Sequence, residues 1–575
     1  MATRTVRAAI LCSFNLDLIT QELVRKSAAK EIKIEAYLSS YGQWETDVFN
    51  PNSKLYGFAP EVVILFLEMT DLLPPLSSDD MLFRADDSRR VGEAAWQRVE
   101  NLVTQLRSHL PPQSVILIHT LVPTTLGRLG TLEGNDGYSY QAAAEVFNAS
   151  LRLAAEHKLG LFVYDQVGFV SKHGWHQLVD PRLWHLGRMR LSRNGLNLLA
   201  EEYARYLAAI FCPRRKCLVL DLDNTLWGGV IGEDDLTGIQ IGHQGLGLAH
   251  REFQMAALAL WQRGIILAIS SKNNPPDALD VLDKHPDMVL RQHHFACMEI
   301  GWNPKPNGLR NIARRLNIGL DSLVFWDDSP VERDLVRSQV PEILVPEIPS
   351  DVSGWVESLL DLDCFDVLSL TEEDRRRGEL YRQQIQRDTY LVDSEPHASD
   401  KTQSDYEGFL RSLAIVVSIQ PASEVMISRL AQLTQRTNQF NFTTRRYGEQ
   451  ELRGRVEDPR FRVFGLSAQD RFGDLGLVGA AILEVTESIW SIDTFLMSCR
   501  ALGRGIEDAF LEFLASEARS ADAELTGEFV PTAKNAPAHE FLTQKLLLVE
   551  SHETSRLPFR LDTDAIQTPG WVRVN

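Results

Sequence analysis

A chain of 575 residues is longer than one hydrophobic core can organise, and predicts roughly three or four domains. Its hydrophobic share of 44% and charged share of 24% are those of a globular protein, and no apolar run approaches the roughly 18 residues of a membrane span. The net charge of -19 argues against a nucleic-acid binder, so an acidic partner must dock on a local basic cluster.

In chain order, MATRTVRAAILCSFNLDL has a short apolar run cut by Asn15 and Asp17, and reads as a first buried strand rather than a leader. Buried parallel strands are expected at Val6–Leu11, Val62–Leu67, Ser114–His119 and Leu159–Tyr164, with a helix over Glu93–Leu110, which is an α/β layer architecture. A second α/β unit begins near Lys216 with the apolar strand CLVLDLDNT, continues through strands at Ile265–Ser270 and Leu323–Trp326, and ends near Cys364. Residues 366–405 are strongly charged and predict an exposed helix followed by a linker. Beyond them, strands are expected at Ala414–Ile419, Phe461–Leu466, Leu477–Val485 and Ile489–Phe495, and an amphipathic helix at Ile506–Ala518. The expected domains are therefore 1–205, 206–365 and 406–575, joined by 366–405. Cys12, Cys212, Cys217, Cys297, Cys364 and Cys499 form no CxxC pair, which disfavours structural zinc or a disulfide framework and fits a reducing cytoplasm.

The densest chemistry lies in Leu218–Leu226, an apolar strand that ends in Asp221 and Asp223. Residues two apart in extended backbone share a face, so both carboxylates project at the carboxyl end of the strand, where open α/β sheets bind ligands. Two adjacent carboxylates repel, and a cation that keeps one ionised suits hard oxygen donors, which points to Mg²⁺. Later strands supply Ser271, then Lys305, then Asp327 and Asp328, in that order.

These four segments resemble the four motifs of the haloacid dehalogenase superfamily, with Thr225 completing a DxDxT pattern. The resemblance implies that Asp221 is a nucleophile and Asp223 a general acid and base. It also implies that Mg²⁺ sits on Asp221, the Asp223 carbonyl and Asp327 or Asp328, while Ser271, Asn273 and Lys305 hold the phosphoryl group. The longer runs DLDNTLWGGVIGEDD, SSKNN and FWDDSPVERD resemble the FkbH-like family, as do TQRTNQFNFTTRRY and DTFLMSCRALGRGIEDAF further on. Where that family often has Cys-Ser-Lys-Asn, this chain has Ser270-Ser271-Lys272-Asn273.

Arg500-Ala501-Leu502-Gly503-Arg504-Gly505 fits the R-x-x-G-x-G pattern of GNAT-type acetyltransferases, where glycines and a helix N-terminus hold a pyrophosphate or a phosphopantetheine phosphate. Cys499 precedes that loop, and flanking Arg500 and Arg504 are expected to favour its thiolate. His539 reads as an exposed helix histidine, and Asn438, Asn441, Arg445 and Arg446 as donors for a phosphorylated acyl group or as helix decoration. The first domain faintly resembles SGNH-type hydrolases through Ser13, Asn15 and His185, but Asp180 and His185 lack the Asp-x-x-His spacing, and a scaffold role is expected. The expected architecture is thus an SGNH-like α/β domain, a haloacid dehalogenase-like Rossmannoid domain and a GNAT-like α+β domain.

The FkbH resemblance implies glyceryl transfer from 1,3-bisphosphoglycerate to the phosphopantetheine thiol of an acyl carrier protein in polyketide biosynthesis. Cys499 is the expected acyl acceptor, and the central domain the phosphatase. Neither nucleic acid nor membrane is an expected partner. Arg375, Arg376, Arg377, Arg445, Arg446, Arg500 and Arg504 are the basic residues expected to dock an acidic carrier. The competing expectation is a phosphatase with an accessory acetyl-CoA-dependent acyltransferase domain.

Overall fold

The computed structural model describes residues 4–72, 85–122, 131, 140–370, 372–383, 403–498, 501–532, 534–544, 546–548, 556–563 and 566–575. The chain divides into two compact units, Met1–Cys212 with Gly448–Glu451, and Pro213–Tyr447 with Leu452–Asn575. The break falls after Cys212 rather than at 205, because the helix Arg193–Phe211 carries Leu199, Tyr203 and Leu207 into the first core.

The first unit holds a parallel sheet of β1 (Arg4–Cys12), β2 (Ile32–Leu38), β3 (Val62–Phe66), β4 (Val115–His119) and β5 (Leu161–Tyr164), in the order β2-β1-β3-β4-β5. Every side chain of β3 is buried, as expected for a strand covered on both faces. Helices pack two cores against the sheet, one containing Val63, Leu65 and Leu102, the other Ile64, Leu199 and Tyr203.

The second unit contains two sheets. The central one is parallel, with β6 (Cys217–Leu220), β7 (Ile266–Ser271), β8 (Phe295–Ile300) and β9 (Leu323–Trp326) in the order β8-β7-β6-β9. Leu220 pairs with Ile269 on one side and with Trp326 on the other, so the residues following β6, β7 and β9 emerge together. Three helices start at this edge, Pro275–Lys284, Lys305–Arg315 and Pro330–Gln339, each with proline in its first turn. Proline suits that position because its missing N–H has no helical partner there.

Residues 372–383 are not the exposed helix that their charge suggests. Asp374, Leu380 and Tyr381 are buried, Tyr381 joins a core of the central domain, and Arg377 pairs with Asp374. Arg375 and Arg376 remain exposed. Residues 384–402 lie outside the described residues.

The C-terminal sheet has eight strands in the order β15-β16-β14-β13-β12-β11-β10-β17. They are β10 (Ile415–Pro421), β11 (Phe461–Asp470), β12 (Gly473–Val485), β13 (Ile489–Met497), β14 (Glu524–Phe529), β15 (Leu546–Leu548), β16 (Leu557–Leu561) and β17 (Val572–Val574). Two neighbouring pairs, β10 with β17 and β13 with β14, are parallel and the other five are antiparallel, which makes this a mixed α+β sheet. Strands β13 and β14 pair only from Ile489–Glu524 to Ile492–Gly527. Beyond that point the chain's own Phe440–Phe442 lies between them. The Phe442 N–H donates to the Phe495 carbonyl at 3.1 Å, the Met497 N–H to the Phe440 carbonyl at 3.0 Å, and the Val530 N–H to the Phe442 carbonyl at 2.8 Å.

Asn441 fixes this segment. It is fully buried, its side-chain oxygen accepts the N–H groups of Thr443 at 3.3 Å and Thr444 at 2.9 Å, and its amide donates to the Thr437 carbonyl at 3.3 Å. Asn441→Ala strips two backbone donors of their acceptor and is expected to cost about 1–3 kcal/mol. A lowered urea midpoint for the transition of the C-terminal sheet checks this, and an unchanged midpoint contradicts it.

Candidate functional site

Strand order brings together the residues that follow β6, β7 and β9, and the helix after β8 adds Lys305. The Lys305 ammonium is buried, lies 2.5 Å from Asp221 Oδ1 and 2.9 Å from Asp327 Oδ2, and donates to the Ser270 carbonyl at 2.7 Å. Carboxylate oxygens of Asp221, Asp327 and Asp328 lie within 4.8 Å of one another. This all-oxygen donor set fits a hard divalent cation. The turn carrying Asp327 and Asp328 is held by Arg333, which donates to both of their carbonyls at 2.7 Å. Thr225, also buried, accepts the Asp328 N–H at 3.3 Å, and its hydroxyl lies 3.4 Å from Asp328 Oδ1.

Burial sets the electrostatics. Asp327 is raised to about 7 by burial and by the charge of Asp221, against the pull of Lys305. Burial and the same neighbour raise Asp328 to about 6. Burial alone lowers an ammonium, yet Lys305 is held above its ordinary value because Asp221 and Asp327 outweigh that effect. Three helix N-termini converge on the same edge and favour negative charge there.

Asp223 occupies a separate, half-buried position. Its carboxylate accepts from Trp227 Nε1 at 2.9 Å, the Ile231 N–H at 3.1 Å and Asn273 Nδ2 at 2.9 Å. Burial raises it despite these donors. Ser271 is buried beside Asn273, with 3.4 Å between its hydroxyl and the amide. Sequence reasoning named Asp223 and Asn273 but missed Trp227, Ile231 and Arg333. All three sit inside the quoted runs DLDNTLWGGVIGEDD and FWDDSPVERD, so a signal for them existed.

In the C-terminal domain, Cys499 and Arg500 lie outside the described residues. Gly503 and Gly505 have positive φ, as a tight turn into the helix Ile506–Ser520 requires. The Gly503 N–H donates to the Glu507 carboxylate at 2.9 Å, and burial raises Glu507 to about 7. Arg504 is not an exposed docking residue. It is buried, its guanidinium faces Asp470 at 3.9 Å, and its carbonyl accepts from Trp571 at 2.9 Å. Arg445 and Tyr447 both engage Asp493, while Arg446 donates to Asn438 at 2.7 Å, so these motif residues bind one another and β13. His539 is exposed.

In the first unit, Ser13 follows β1 and accepts the Glu68 N–H at 2.9 Å. Glu68 is paired with Arg190 through bonds of 2.6 and 2.8 Å. Asn15 accepts the N–H of Asp17 at 2.9 Å, Asp180 caps the helix Pro181–Gly187, and His185 is exposed on that helix. Buried His119 is held between Gln166 and Tyr203. Among the described residues, no hydrogen bond joins Ser13 to a histidine.

Comparison with known proteins agrees with this layout. Residues 7–206 match the FkbH N-terminal domain. The crystal structure of the N-terminal part of a Bacteroides fragilis protein, containing a phosphatase domain complexed with Mg, is 29% identical. The match covers 64% of this chain and 95% of that one, with a TM-score of 0.57. The ribosomal-protein-S18-alanine N-acetyltransferase from Escherichia coli is similar at 17% identity over 25% of this chain and 92% of its own, with a TM-score of 0.20, too low to carry an argument. No curated protein matches. Among the described residues, no helix is long and apolar enough to cross a membrane.

The raised carboxyls give a pH dependence. Metal-free protein loses their contribution to stability as pH rises through about 6 for Asp328 and about 7 for Asp327. A cation needs both groups ionised, so its affinity rises over that same window. Added Mg²⁺ is therefore expected to raise the melting temperature more at pH 8 than at pH 6. An equal shift at both pH values contradicts the assignment.

Proposed function

From an FkbH-like chain with a haloacid dehalogenase-type phosphatase domain, we propose a bifunctional enzyme that moves a glyceryl unit from 1,3-bisphosphoglycerate to a carrier-protein thiol and removes its remaining phosphate. The observation that carries this reading is the buried Lys305 between Asp221 and Asp327, with Asp328 alongside, in a chain that also has an FkbH N-terminal domain.

In the phosphatase half, the Asp221 carboxylate attacks phosphorus and the bond from phosphorus to the substrate oxygen breaks. Asp223, whose raised pKa suits a proton donor, protonates that departing oxygen. The ionised Asp223 then takes a proton from the water that hydrolyses the aspartyl-phosphate, which releases inorganic phosphate and restores Asp221. Lys305 and Ser271 neutralise and orient the phosphoryl oxygens, and Asn273 positions Asp223. Asp221, the Asp223 carbonyl and Asp327 or Asp328 would hold Mg²⁺, which when bound offsets repulsion between the nucleophile and the phosphoryl oxygens.

In the transfer half, the Cys499 thiolate attacks the acyl phosphate carbon and phosphate leaves, giving a thioester. The pantetheine thiolate of the carrier then attacks that carbonyl and Cys499 leaves. Binding of the phosphopantetheine phosphate at Gly503 and Gly505 requires Glu507 to release the Gly503 N–H. An acidic carrier that docks on exposed Arg376 competes with Asp474, which lies 3.8 Å from its guanidinium.

Asp221→Asn is expected to lower phosphate release by about a thousandfold or more, since an amide cannot serve as the nucleophile. Cys499→Ser is expected to keep phosphate release from small esters and lose glyceryl-carrier formation, read by intact-protein mass spectrometry. Wild-type glyceryl-carrier yield from Cys499→Ser removes that thiol from the mechanism.

A further inference from the structure

Asp221 and Asp223 leave β6 two residues apart but are held in different ways. Asp221 is bonded to the Lys305 ammonium. Asp223 receives three donors from neutral groups, and its two oxygens share them unequally. Trp227 Nε1 at 2.9 Å and the Ile231 N–H at 3.1 Å both reach Oδ1, whereas Asn273 Nδ2 reaches Oδ2 at 2.9 Å.

The local backbone puts the indole there. Asn224 adopts a left-handed φ of 53°, and the Thr225 and Leu226 N–H groups both donate to the Leu222 carbonyl, at 3.1 and 2.8 Å. The chain thus turns back on itself, and Trp227 forms a β-bridge with Asp223. The Trp227 side chain is fully buried in one core with Leu222, Leu226 and Phe253, so its N–H has a fixed direction. An indole nitrogen donates and never accepts, which makes it a one-way partner for a carboxylate oxygen.

Each carboxylate oxygen offers about two lone-pair sites. Two N–H donors fill those of Oδ1 and leave it no place for a proton, while Oδ2 has one donor and one site open. The amide that reaches Oδ2 also lies 3.4 Å from the Ser271 hydroxyl, so Oδ2 is the oxygen on the side of the phosphoryl group that Ser271 orients. We propose that Trp227 is a positioning residue for proton transfer: with the Ile231 N–H it reserves Oδ1 as a pure acceptor, so that Oδ2 alone gives the proton to the departing oxygen and takes one from the attacking water. This inference rests on the reading of Asp223 as acid and base. In the first step the proton leaves Oδ2 as the bond from phosphorus to the ester oxygen breaks, and the alcohol departs neutral. In the second, a water proton passes to Oδ2 while the water oxygen bonds to phosphorus and the Asp221 carboxylate is released.

The test uses two phosphate monoesters that differ in their need for that proton, with the full-length protein and Mg²⁺. 3-Phosphoglycerate must expel an alkoxide and needs it, whereas p-nitrophenyl phosphate expels a stabilised nitrophenolate and needs it little. kcat/KM covers the steps through departure of the leaving group, so it reports the acid step. Trp227→Phe keeps an aromatic ring in the core and removes the N–H. It is expected to lower kcat/KM for 3-phosphoglycerate about tenfold more than for p-nitrophenyl phosphate. Trp227→3-benzothienylalanine keeps the bicyclic outline with sulfur in place of the N–H; it is expected to lower the ratio alike, and it carries the test where the smaller ring fails to fold. Equal losses with both substrates overturn the inference, because a distorted core or a displaced metal slows both alike. Asp223→Asn is expected to lower the ratio further than either. If it does so while both Trp227 variants keep the wild-type ratio, the role of Trp227 falls and the reading of Asp223 stands. A wild-type ratio in Asp223→Asn, or wild-type protein that releases phosphate from neither ester, fails that reading, and this inference with it.

Discussion

The central domain depends on one ammonium group. Asp221, Asp327 and Asp328 crowd their oxygens within 4.8 Å, and Lys305 is the buried cation that touches two of them. Without such a charge, three carboxylates at one buried edge would hold protons, as the raised values of Asp327 and Asp328 show in part. Much else at the edge supports that arrangement. Parallel pairing of β6 with β7 and β9 delivers the acids and Ser271 to one place, and three helix N-termini add positive potential. Arg333 spends its hydrogen bonds on the carbonyls of Asp327 and Asp328 and so fixes the turn between them. Buried charge is tolerated when it is fully paired, and this one is.

The same logic explains which features were legible in the sequence. Asp221, Ser271 and Asp327 each stand at or beside the end of an apolar strand, so local pattern alone placed them. Edge strands were harder. In β2, Ile32 and Ile34 are buried while Lys33 and Glu35 face solvent, and in β8 the apolar run is only Phe295–Met298 before Glu299 breaks it, so neither presents a long continuous apolar run. Arginine exposure was legible only in part, since Arg375 and Arg376 are exposed as expected. Arg377 and Arg504 read as docking residues, but each is drawn inward by a carboxylate, Asp374 and Asp470, whose proximity only the folded chain reveals. The boundary expected at 205 falls inside the helix that seals the first core, which runs on to Phe211.

The motifs of the C-terminal domain serve the backbone as much as any ligand. Two parallel strands that diverge leave unpaired N–H and C=O groups, and burying those unpaired is costly. Phe440–Phe442 satisfies them from inside the gap, and Asn441, Thr443 and Arg445 hold the segment in register with β13 through Asp493 and neighbouring carbonyls. A run of Asn, Thr and Arg that reads as a binding surface is here a polar brace. Glu507 plays a similar part at the glycine turn, where its carboxylate takes a donor that an anion would otherwise use. A buried carboxyl raised to about 7 is a weak hold, since near neutrality it is partly protonated and its acceptor strength falls.

A buried, paired charge set of this kind suits a phosphoryl group, which every phosphate monoester presents alike, so the floor by itself has little power to select among esters. Selection must come from groups that meet the rest of the substrate. With short connections after β7, β8 and β9, the excursion 221–244 after β6 is the longest segment at this edge to supply them.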